Sequence, residues 1–116
     1  MAKDYAAIAD SVVAGAGALS SAAPDAMAAF AALGKASYGA GALSAANKEL
    51  ISLCISVAVR CEGCIAYHAR AAVKKGVTRQ ELAEALAVVM QMGGGPSMVY
   101  AGQALEAYDT FAGKAA

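Results

Sequence analysis

The 116-residue chain has no tryptophan, two phenylalanines, two prolines and one histidine, and only 16% of its residues are charged. With Lys+Arg 9 against Asp+Glu 9 the formal net charge is zero. No basic excess exists to neutralise phosphates, which argues against nucleic-acid binding. No apolar run approaches the roughly 20 residues of a spanning helix. The best stretch, Leu50 to Val59, is broken by Ser52 and Ser56, so no membrane partner is expected. Long alternating β-branched runs are also missing. What the chain has instead is alanine, 33 residues of it, and alanine is the strongest helix former. The expected fold is all-α: a single domain over residues 1–116, a bundle of about six helices. A hydrophobic content of 59% excludes disorder. So little charge on so small a domain leaves apolar surface wet in a monomer, which favours a homo-oligomer.

The amino terminus loosely imitates a signal peptide, with Lys3 ahead of Ala6–Ala23. Asp4 and Asp10 fall where the apolar segment would run, so this reads as the first helix of a cytoplasmic protein. Three cysteines cannot all pair within one chain. In a reducing compartment they serve chemistry or packing.

Residues 3 to about 19 form the first expected helix. The second starts at Pro24, where a missing N–H is harmless, and is expected to end near Gly34, with 34–41 as a loop. Ser44 is a capping residue for a third helix reaching about Arg60. Most of its faces are apolar, yet Glu49, Ser52, Ser56 and Arg60 share one stripe. A break at Cys61–Gly63 precedes a fourth helix, closed near Lys75 by Gly76. Thr78 and Glu81 have capping-box spacing, with Val77 and Leu82 placed as a hydrophobic staple, and they open a fifth helix to about Met92. Gly93-Gly94-Gly95 stops it. Pro96 opens a sixth that reaches about Phe111.

The chemistry is concentrated in Cys61-Glu62-Gly63-Cys64-Ile65-Ala66-Tyr67-His68, which holds two of the three cysteines and the sole histidine. At helical spacing Cys61, Cys64 and His68 lie on one face. A helix start favours thiolate over thiol, and His68, one turn past Cys64, is placed to take its proton or stabilise its thiolate. Dithiol–disulfide exchange, or peroxide reduction through a sulfenic acid, suits this pair. The helix start favours Cys61 as the reactive thiolate; the histidine register favours Cys64. Competing readings are a non-enzymatic redox or metal-binding module, which for zinc needs a fourth ligand from Glu49 or another chain, and simple packing of the cysteines. A c-type haem is excluded because Ile65, not histidine, follows Cys64.

Glu49, eleven residues, then Cys61-x-x-Cys64-x-x-x-His68 resembles the signature of the alkylhydroperoxidase D family, within the carboxymuconolactone decarboxylase superfamily of all-helical oligomers. Lys48-Glu49-Leu50-Ile51, Ala71-Ala72, Gly76, Glu81 and Met92-Gly93-Gly94-Gly95-Pro96 extend the likeness over roughly residues 44–108. The resemblance implies a thiol-dependent peroxidase or disulfide reductase, assembled as a trimer or hexamer, with no cofactor and no metal. Cys64 attacks the peroxide, Cys61 resolves, and Glu49 with His68 relays the proton. An external dithiol or thioredoxin-like protein completes the cycle. One departure is Gly63, where the founding peroxidases place a histidine. The decarboxylase branch lacks the cysteine pair, so keeping Cys61 and Cys64 argues against a decarboxylase that would use Glu49 and His68 as acid–base groups.

The placement of Glu49 poses a geometric problem. At about 1.5 Å per residue it lies about 16 Å from Arg60, whereas His68 lies only about 10 Å beyond Cys61. Direct contact needs stagger, tilt or a bridging water; otherwise Glu49 serves only to complement the helix dipole. Among the remaining candidates, Cys54 reads as an inert packed thiol. Tyr67 reads as a hydrogen-bond donor near the site or as an interface ring. Met90, Met92 and Met98 read as core or subunit packing.

Overall fold

A computed structural model describes residues 3–115. Met1, Ala2 and Ala116, which the single-domain reading includes, lie outside them. The described residues form six helices and no strand: α1 (Tyr5–Ala22), α2 (Pro24–Tyr38), α3 (Ala45–Ala58), α4 (Glu62–Lys74), α5 (Arg79–Gly93) and α6 (Gly95–Ala115). The all-α expectation holds.

Each start follows from a local donor–acceptor match. Asp4 accepts from the Ala7 N–H at 3.0 Å, and Ser44 accepts from Asn47 at 3.0 Å. The Thr78–Glu81 capping box is reciprocal, at 3.1 Å and 2.8 Å. These bonds satisfy N–H groups that have no partner within a helix. Val77 and Leu82, the expected staple pair, are both buried.

Helix α4 is the axis of the molecule and packs against α1, α3 and α6. Ile65, Ala66, Ala69 and Ala72 on α4 are fully buried, as are Ala104 and Ala107 on α6. Alanine at these positions lets two backbones approach closely, which is why a chain poor in aromatics can still close a core. The large side chains buried completely are few: Tyr5, Leu53, Val57, Ile65 and Leu82. Each of the four aliphatic ones contributes about 1.5–3 kcal/mol by burial. Tyr108 donates its hydroxyl to the Val77 carbonyl at 2.5 Å, fastening α6 to the turn before α5.

Helix α2 departs from expectation. It runs through Gly34 to Tyr38 and buries no residue. A mid-helix glycine costs only about 1 kcal/mol, which hydrogen bonds from a charged donor at the helix end can offset. Lys48 Nζ donates to the Ser37 carbonyl at 2.9 Å and the Gly39 carbonyl at 2.6 Å. The end of α2 is thus set by a cation on α3.

The three consecutive glycines divide their work. A Cβ on Gly93 would sit 1.8 Å from Ser97 Oγ and 2.7 Å from Ser97 Cβ. Gly94 has φ 75° and ψ −155°, a region that only glycine adopts freely. Gly95 faces open space. We therefore expect Gly93→Ala and Gly94→Ala each to destabilise by about 1–3 kcal/mol, while Gly95→Ala, in the first turn of α6, is near neutral. Urea midpoints of the three variants check this order.

Candidate active site

The α3–α4 hairpin builds the site. Helix α3 ends with Cys61 N–H donating to the Ser56 carbonyl at 3.0 Å and Arg60 N–H to the Val57 carbonyl at 3.1 Å, with Arg60 at φ 59°. Helix α4 ends the same way: Val77 N–H to Ala72, Gly76 N–H to Val73, and Gly76 at φ 86°. The two turns are alike, but one has the favoured glycine and the other an arginine, at roughly 1–2 kcal/mol of backbone strain. That strained turn immediately precedes Cys61.

Cys61 is the cap of α4. Its sulfur accepts from the Cys64 N–H at 3.2 Å, and the two cysteines are joined as a disulfide with Cα atoms 5.2 Å apart. Both are half-buried. Helix α1 crosses this motif. A Cβ on Gly63 would come within 2.9 Å of Val12 Cγ2, so the lack of a side chain at Gly63 admits α1. Lys3, just before α1, pairs with Glu62 between the cysteines.

His68 Nδ1 lies 3.0 Å from Glu49 Oε2. The contact is direct, without a bridging water. The hairpin is tighter than the estimate from Arg60 and Cys61 assumed. Measured from the helix ends at Ala58 and Glu62, the two residues are offset by only about 4–5 Å along the axes, within reach of two long side chains. Glu49 is buried, and an ionised carboxylate only accepts, so a neutral imidazole making this bond carries its proton on Nδ1 and offers Nε2 as the acceptor. Dipole complementation is thus not its only role.

The polar stripe of α3 meets polar partners throughout its buried part. Ser52 Oγ is hydrogen-bonded to the hydroxyl of Tyr38, and Ser56 Oγ donates to the Ser52 carbonyl at 2.7 Å. The Tyr38 ring stacks on His68 with centroids 6.1 Å apart and planes at 19°. Sequence reading missed Tyr38, which was placed in a loop; the stripe on α3 was the signal that something polar would face it. Among the described residues the Tyr67 hydroxyl has no hydrogen-bond partner. The Tyr67 ring meets His68 edge-on at 5.2 Å and lies beneath the Arg70 guanidinium. Arg70 in turn reaches Asp10 on α1 at 3.3 Å.

A model of the carboxymuconolactone decarboxylase family matches residues 24–107. The chain belongs to this family. An uncharacterized protein from Cupriavidus necator is 44% identical over 93 residues, covering 80% of this chain and 82% of its own. Uncharacterized protein 4 in the cox locus of Paracoccus denitrificans is 33% identical over 85 residues, covering 73% and 77%. The crystal structure of an apo carboxymuconolactone decarboxylase family protein from Legionella pneumophila superposes with a TM-score of 0.90 at 38% identity, over 93% of this chain and 96% of that one. The family match begins at Pro24, so α2 and Tyr38 fall within it, beyond the 44–108 stretch legible from motifs.

Cys54, the remaining cysteine, is half-buried and lines an apolar groove with Ile55, Ala58, Val88, Val89, Met92 and Gly93. Burial pushes its thiol up from the ordinary range. After reduction of the disulfide, Cys54 is expected to alkylate more slowly at neutral pH than Cys61 and Cys64. Timed iodoacetamide labelling read by mass spectrometry checks this.

Proposed function

We propose that this family member is a thiol-dependent peroxidase, cycling Cys61 and Cys64 between dithiol and disulfide. The observation that carries the reading is the coincidence of a bonded cysteine pair at a helix start with an oriented Glu49–His68 pair one turn away. In the reduced form, His68 Nε2 takes the Cys64 proton. The Cys64 thiolate attacks the outer peroxide oxygen, the O–O bond breaks, and the departing alkoxide or hydroxide takes a proton from the imidazolium. Cys64 is then a sulfenic acid. Cys61 attacks its sulfur, water leaves, and the bridge forms. An external dithiol or thioredoxin-like protein, as found in a reducing cytoplasm, returns the pair to two thiols. The sum is one peroxide and one dithiol to one alcohol, one water and one disulfide.

The bridge closes a very short loop, which by loop entropy is worth only about 2 kcal/mol. That is a small part of the roughly 5–15 kcal/mol of a folded domain, so the fold tolerates cycling. The test is a thiol count under anaerobic conditions. Reduced protein starts with three thiols; one equivalent of peroxide is expected to leave one, that of Cys54. Three remaining thiols overturn the reading.

The partner of the outer face is a second copy of the chain. The protein exposes 6855 Å², against about 5,800 Å² for a compact monomer of its mass. The excess of about 1,100 Å² is larger than the about 800 Å² that one partner gives up in a standard interface. Ile55, Val88, Met90, Met92, Met98 and Val99 stand exposed along α3, α5 and α6, and the two apolar grooves beside α5 contain no charged residue. The methionines thus lie at the surface rather than in the core. Light scattering is expected to give a mass that is a multiple of 11.4 kDa, and Met92→Glu to lower it. A wild-type mass of one chain overturns this.

A further inference from the structure

The family signature ends its account of the site at Glu49, the cysteines and His68, yet α2 reaches into the site as well. Met27, Gly34 and Tyr38 are the only half-buried residues of α2, and their spacing of seven and four puts them on one face. That face ends at the imidazole. Tyr38 is held at two levels. Lys48 takes the carbonyls on either side of it, those of Ser37 and Gly39. Ser52 takes its hydroxyl, and Ser56 steadies Ser52 through the Ser52 carbonyl. Three residues of α3, Lys48, Glu49 and Ser52, therefore grip the two aromatic rings that stack in the site.

We propose that Tyr38 is a positioning residue, which fixes the plane of the His68 imidazole and keeps its Nε2 lone pair directed at the reacting sulfur. The proposal rests on the reading of His68 as the proton acceptor. The bond to Glu49 restrains one atom of the ring. Rotation of a histidine about its second side-chain torsion is broad, so one bond at Nδ1 leaves the ring free to tilt. A second aromatic plane at 19° removes that freedom. Tyr67 cannot replace it, because it meets the edge rather than the face and is 40% exposed. Tyr38 touches no reacting atom in this account. It acts through His68, and its phenol is occupied by Ser52.

The single histidine makes the test direct, since long-range proton–nitrogen NMR gives one pair of ring-nitrogen signals, independent of any turnover. Wild type is expected to show the two well-separated nitrogens of one Nδ1–H tautomer. In Tyr38→Leu, which removes the facing ring, the signals are expected to move toward each other, because a ring free to tilt leaves Glu49 part of the time and exchanges tautomers while that bond is open. Tyr38→Phe and Ser52→Ala, which remove only the hydroxyl anchor, fall between. In peroxide assays kcat is expected to drop about tenfold to a hundredfold in Tyr38→Leu, with KM unchanged, and less in Tyr38→Phe. Ring-nitrogen signals in Tyr38→Leu identical to wild type overturn the proposal. If that variant does not fold, identical signals in both Tyr38→Phe and Ser52→Ala overturn it. A wild-type protein that consumes no peroxide, yet shows the displaced signals in these variants, rejects the peroxidase reading and leaves the positioning role standing.

Discussion

Cys64→Ser is expected to reduce dithiol-dependent peroxide consumption to the uncatalysed rate, while Cys61→Ser retains one turnover. Serine at 64 offers an alcohol where the reaction needs a thiolate, and even with His68 beside it an alcohol oxygen cannot take up the peroxide oxygen to form the sulfenic acid through which the cycle runs. The helix start alone favours Cys61, whose sulfur receives the Cys64 N–H at 3.2 Å. That same bond suits the resolving and leaving role better. When an external dithiol attacks Cys64 in the disulfide, the sulfur expelled is Cys61, and a leaving thiolate stabilised by an N–H departs faster. Cys64 in turn precedes His68 by one helical turn. In Cys61→Ser the sulfenic acid at Cys64 has no intramolecular partner and accumulates, so a dimedone adduct mapped by mass spectrometry is expected on Cys64. An adduct on Cys61 in Cys64→Ser, with none on Cys64 in Cys61→Ser, reverses the order of attack.

The fold was legible where single residues decide local structure. Ser44 and Thr78 with Glu81 satisfy backbone donors, Pro24 removes one, and Gly76 takes the positive φ that ends α4; each stands where expected. The end of α2 was not legible, because it depends on Lys48 across the hairpin rather than on Gly34 within the helix. Gly34 reads as a terminator only if nothing else holds the chain. The site was legible to the same degree. Cys61, Cys64 and His68 lie within eight residues of one another, so helical periodicity alone places them. Glu49 needed the hairpin offset, which side-chain reach corrects and a rise per residue does not. Tyr38 needed the tertiary docking of a helix that buries no residue. Its only trace in sequence was the stripe of Ser52 and Ser56 on an otherwise apolar helix, polar groups that require partners once buried.

Glu49→Gln is expected to lower kcat for peroxide by about 10²–10⁴, with a folded protein and an intact cysteine pair. The carboxylate of Glu49 can only accept, so it enforces a proton on Nδ1 and frees Nε2. An amide of the same shape can instead donate its NH₂ to Nδ1. The imidazole proton then moves to Nε2, and the ring can no longer take the thiol proton. The corresponding carboxylate-to-amide change in a serine protease triad costs about 10⁴ by this tautomer switch. The lower bound reflects chemistry that depends less on the base, because a thiol already ionises to a few per cent at neutral pH. It follows that the loss is expected to shrink as pH rises and the thiolate forms without help. The ring-nitrogen signals of His68 are expected to change tautomer in the same variant. A kcat within about twofold of wild type at neutral pH, together with an unchanged tautomer, removes Glu49 from the relay and returns it to the role of a dipole-facing carboxylate at the start of α3.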